Sequence, residues 1–181
     1  MRPLLAELSA DPDTTSVRRL WKALTPEERA QGIAASLAED SDGWVKNSLR
    51  AAVARTLRFR PQTVATWPKT KLMTEAARIQ IDEPSLLSAF LVDLHLGHRR
   101  PMMGAFLDSL GIANDEGRID SENTEVPMQD AAKVAAAADA LVGTHDPDEV
   151  ATYFLTLLLQ DSNVWGALRT WLQARPGLQA S

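Results

Sequence analysis

The twenty residues TPEERAQGIAASLAEDSDGW (25–44) return 121 positions later as DPDEVATYFLTLLLQDSNVW (146–165), and reading the two together decides the fold. Seven positions are identical: Pro26/Pro147, Glu28/Glu149, Ala30/Ala151, Leu37/Leu158, Asp40/Asp161, Ser41/Ser162 and Trp44/Trp165. They fall at a helix start, along an apolar stripe, in a turn and on the first bulky residue after it. In the first copy Thr25 supplies the cap oxygen, Pro26 takes the first helical position, and Glu27 and Glu28 face the positive helix end. Ala30, Ile33, Ala34 and Leu37 then recur at one-face helical spacing.

Outward from this frame, Ala, Leu, Arg and Glu dominate, β-branched runs are absent, and Pro or Gly punctuates segments of helical length, which predicts an all-α protein. About nine helices are expected. The first follows Asp13 and Thr14, and the second opens at Pro26. The third spans 44–59, with Ser41 or Asp42 as its cap. Others open at Pro68, Pro84 and Arg99, one covers 128–143, and the last two open at Pro147 and Ser162. Residues 111–127 have no helical period and read as a long loop, with a small hairpin around Glu116 and Gly117.

A shift of 58 gives a weaker echo, placing Pro26 on Pro84, Ile33 on Leu91 and Trp44 on Met102. The chain then divides into three-helix units at about 14–59, 68–110 and 128–174 within one domain, 1–181. Such units cannot bury their apolar faces alone and must stack. In pattern they resemble degenerate armadillo or HEAT repeats, which implies a short superhelix with an extended binding surface. The alternative is a compact helical bundle in which one turn occurs twice.

At 181 residues with 45% hydrophobic and 24% charged content, the chain has enough apolar material for a core. The absence of Cys excludes disulfides, zinc thiolates and cysteine nucleophiles. The first residues offer no secretory apolar region, and no apolar run approaches the roughly 20 residues of a membrane span. A soluble, cytoplasmic protein is therefore expected.

The net charge of −5 is unevenly spread. Lys46 to Arg78 holds eight basic residues against Glu75 alone, a local +7 that leaves −12 elsewhere. With Leu49, Val53 and Leu57 as the buried stripe of the third helix, Arg50, Arg55 and Arg58 fall on its flank and far side. Arg60, Lys69 and Lys71 extend the charge past Phe59 and Trp67. Arg50, Arg55, Arg58, Arg60, Trp67, Lys69 and Lys71 thus form the candidate face for an anionic partner.

Other motifs are weaker. The repeated turn, with Asp40, Ser41 and Trp44 and then Asp161, Ser162 and Trp165, is read as structural: the polar side chains offer oxygens to free amides, and Trp packs over the turn. DLHLGH (93–98) brings Asp93, His95 and His98 together as metal candidates, but supplies no further ligand. NDEGRIDSEN (114–123) has Gly117 where a calcium loop turns, yet its terminal ligand places fall on Ile112 and Asn123, so that reading fails at both anchors.

No phosphate loop, nucleophile elbow or metalloprotease motif occurs, so neither a catalytic residue nor a cofactor is assigned. The preferred reading is a non-enzymatic protein that binds a protein or peptide, with an acidic partner suiting the Arg50–Lys71 face. The alternatives are nucleic acid on the same face and a metal-dependent protein centred on Asp93, His95 and His98. Pairing with a second copy of the chain is left open.

Overall fold

The computed structural model describes residues 1–119, 126–175 and 178. Among them are eleven α-helices and no strand. In chain order they are α1 (Pro3–Ala10), α2 (Val17–Ala23), α3 (Pro26–Glu39), α4 (Trp44–Leu57), α5 (Pro61–Ala65), α6 (Lys69–Arg78), α7 (Pro84–His98), α8 (Arg100–Leu110), α9 (Ala131–Val142), α10 (Pro147–Gln160) and α11 (Gly166–Ala174). The two beyond the expected nine are α1 and α5, each short and each opened by proline. The chain forms two compact units, Leu24–His98 on one hand and Met1–Ala23 with Arg99–Ser181 on the other. Their boundaries fall inside the expected spans 14–59 and 68–110.

In the Leu24–His98 unit, α3 begins with a reciprocal cap. The Glu28 amide donates to Thr25 Oγ1 at 3.1 Å, and the Thr25 amide donates to Glu28 Oε2 at 2.8 Å. Its principal neighbour is α7. The two helices meet through small residues, since a Cβ on Gly32 would lie 2.7 Å from the Phe90 carbonyl oxygen and one on Gly97 would lie 3.0 Å from Ala35 Cβ. Ser36 donates a 2.5 Å hydrogen bond to Asp93 across the same seam. Ile33, Leu49, Val53, Val64, Leu87, Phe90 and Leu94 fill the core of this unit.

The other unit is organised on α10. Every residue from Val150 to Leu157 is buried, the pattern of a helix surrounded by protein. Thr152 and Thr156 satisfy their hydroxyls by donating to the carbonyls of Asp148 and Thr152. Phe106, Tyr153, Phe154, Trp165 and Trp171 make an aromatic cluster with centroid spacings of 5.0 to 6.1 Å. Asp148 ties down α1, accepting from the Arg2 amide and from Arg2 Nε, both at 2.9 Å.

After α8, Asp115 and Arg118 pair across a two-residue turn whose Glu116 and Gly117 both have positive φ, 47° and 88°. That is the turn geometry suited to a tight hairpin. Gly117 has a second reason to be glycine, because a Cβ there would meet Met103 Cβ at 2.5 Å. Of the expected loop, residues 120–125 lie outside the described ones. No helix among the described residues is long and apolar enough to cross a membrane.

Candidate functional site

The basic residues divide by neighbourhood. Lys46 and Arg50 are one helical turn apart on α4, so they share a face. Lys69, at the start of α6, lines the same concavity of about 490 Å³. Leu37, Leu72 and Trp67 supply its apolar lining, and the 40–43 turn closes one end. The volume is within the usual range of ligand-sized clefts.

The turn is built by Asp40. Its two carboxylate oxygens accept from the Val45 and Lys46 amides, each at 2.9 Å, satisfying free donors at the start of α4. Of the caps expected for α4, Asp42 shares the task with Asp40, while Ser41 takes no part. Gly43 allows the Asp40 cap, since φ of +76° folds the chain back far enough for the carboxylate to reach amides five and six residues ahead. Asp42 accepts from the Trp44 amide at 3.0 Å. Burial acts to raise the Asp40 pKa, but the two amides and the nearby Lys46 charge outweigh it and hold the carboxyl below its ordinary value. Asp40 is thus an anion engaged by backbone amides on both oxygens.

Arg50 stands differently. Its Nε is buried, and among the described residues it has neither a hydrogen-bond partner nor an ion pair. A guanidinium nitrogen removed from water without an acceptor is costly.

The remaining members of the basic face lie around this cleft or away from it. Trp67 is only 9% exposed, with Phe59 edge-on at 5.4 Å and Lys71 Nζ 4.3 Å above its ring centroid. Trp67 is thus a wall of the cleft, and the solvent-facing aromatics of this unit are Phe59 and Trp44, 47% and 43% exposed. Arg55 is paired with Glu83 at 3.3 Å. Arg58 ends α4 in the left-handed conformation, Arg60 precedes α5, and both are exposed. The Leu24–His98 unit contains nine basic and nine acidic residues, so the positive character of the cleft is local.

The second copy of the turn is built otherwise. Asp161 accepts from the Asn163 and Val164 amides at 2.9 and 3.1 Å, and Trp165 precedes α11 and is buried. Ser41 and Ser162 are both exposed.

Asp93 and His95 project about 200° apart on α7, by the helical angle. Asp93 is turned to Ser36, His95 is buried and His98 is exposed. Among the described residues no three His, Cys, Asp or Glu side chains are grouped to hold a metal. A second concavity, about 510 Å³, lies in the other unit around Gly111, Ile112, Met128 and Lys133, with one cation in its lining.

Sequence reasoning named Arg50 and Lys69 but left Lys46 out of the site, although its position four residues before Arg50 was a sufficient signal. No protein-family model, curated protein or solved structure matches this chain.

Proposed function

We propose that this chain is a non-enzymatic binding protein that docks an acidic protein or peptide on the cationic cleft of its Leu24–His98 unit. The observation that carries this reading is that Lys46, Arg50 and Lys69 line one cleft together with the apolar Leu37, Trp67 and Leu72. Arg presents planar donors that suit a carboxylate. Asp40 and Asp42 line the same cleft as Lys46, Arg50 and Lys69, so its cationic excess is a single charge. The short armadillo- or HEAT-like superhelix belongs to the same proposal. Its support is the equal length of α3 and α10, fourteen residues each, with proline at the first turn of both.

Nucleic acid is the second reading, favoured by exposed Phe59 beside Arg58 and Arg60, an aromatic flanked by cations. Fluorescence anisotropy separates the two, using a labelled Glu-rich peptide and labelled single- and double-stranded oligonucleotides at low and physiological salt. The proposal expects peptide binding that is lost in Arg50→Glu and kept in Lys22→Glu, an equal charge change at an exposed position of α2. Oligonucleotide binding that falls steeply with salt, with none for the peptide, would replace the proposal with the nucleic-acid reading. Binding of neither at low salt would overturn both.

A further inference from the structure

The cleft is not uniformly cationic, for apolar side chains and the carboxylates of Asp40 and Asp42 line it beside the three cations. Lys46 and Arg50 project from α4 and Lys69 from α6, while Leu37 of α3, Leu72 of α6 and Trp67 form the apolar side. A purely ionic surface would gain nothing from that apolar side, and a purely apolar groove would not be lined by Lys46, Arg50 and Lys69. A ligand satisfying both must carry a carboxylate next to an apolar group.

Resting on the docking function just proposed, we infer that the recognised element is a short partner segment in which an Asp or Glu adjoins a bulky apolar side chain. The carboxylate is received by Arg50 between Lys46 and Lys69, and the apolar side chain lies against Leu37, Trp67 and Leu72. The volume of about 490 Å³ accommodates a side-chain pair of this kind rather than a whole helix or strand. Trp67 is fixed for the task, since Phe59 holds its edge at 5.4 Å and Lys71 lies over its ring. A wall held in place loses little entropy when a ligand closes on it.

The test is selection of a displayed random-peptide library on the full chain, run in parallel on Arg50→Glu and Lys69→Glu. Lys69 is exposed, so its reversal leaves the fold intact and covers the case in which Arg50→Glu fails to fold. The expected result is enrichment of peptides that place Asp or Glu beside Leu, Ile, Phe or Trp. That enrichment should disappear with either variant, and resynthesised peptides should lose at least tenfold in affinity when the apolar residue is changed to Gly. Enrichment of acid-rich peptides indifferent to the apolar residue would overturn this inference and leave the docking function standing. Enrichment unchanged in both variants, or no enrichment at all, would overturn both.

Discussion

Position 32 in α3 is glycine, and a Cβ there would lie 2.7 Å from the Phe90 carbonyl oxygen; the matching position in α10 is Tyr153, whose ring stands edge-on to Phe106 at 5.8 Å. One residue later, Ile33 and Phe154 are both fully buried, the second in an aromatic cluster. Both helices have fourteen residues, a polar cap residue, a proline in the first turn and acids behind it. The shared letters therefore set where each helix starts and stops. The letters that differ set what packs against it, a close-approaching backbone for α3 and large rings for α10.

The widest divergence is at the tryptophans that end the two frames, and it gives the largest expected effects. Trp165 is 4% exposed and 6.1 Å from Phe106, so Trp165→Ala should destabilise the protein by about 3–5 kcal/mol in urea or thermal denaturation. Trp44→Ala should cost far less, about 1 kcal/mol or below, since Trp44 is 43% exposed. Equal costs would mean that the two frames are structurally equivalent after all. Next in size is Gly32→Ala. Helix propensity alone favours alanine by about 1 kcal/mol, but the added methyl must displace the Phe90 carbonyl, and overpacking of this kind costs about 1–3 kcal/mol. A net loss of stability is expected, and a gain would show that α3 and α7 can separate freely.

These differences explain what was legible in the sequence. The start of α3 was, because Thr25, Pro26 and Glu28 act within one turn of chain. So was the tight turn at Glu116–Gly117, where a glycine among acids leaves little choice. Helix α1 was not, since Arg2 in the cap position makes no side-chain cap bond, and the helix is held by burial of Leu5 and Leu8 and by Asp148, 146 residues away. Helix α5, five residues between Arg60 and Trp67, is too short to show a period and is fixed by burial of Val64. The cleft was half legible. Charge segregation showed that a basic face exists, and helical angles placed Arg50, Arg55 and Arg58. Neither could show that Arg55 finds Glu83 while Arg50 finds no acceptor, because those outcomes depend on α6 and the segment before α7.

The smallest effect in the comparison belongs to the two aspartates that build the turns. Asp40 and Asp161 each accept two backbone amides, so replacing either with alanine should cost about 1 kcal/mol. Asp40 has a further effect in acid. The Asp40 carboxyl is held below its ordinary value in the folded chain, so it contributes stability above the unfolded pKa, near 4. That contribution is lost as pH falls through the lower, folded pKa. Parent and Asp40→Asn should therefore differ most at neutral pH and converge as the pH drops below about 4, measured as unfolding midpoints across an acid titration. Because Asp40 also positions the amide of Lys46, the same titration should loosen peptide binding at the cleft in the parent. A parent and variant that stay equally far apart down to the lowest pH would mean that Asp40 acts through its shape alone, without its charge.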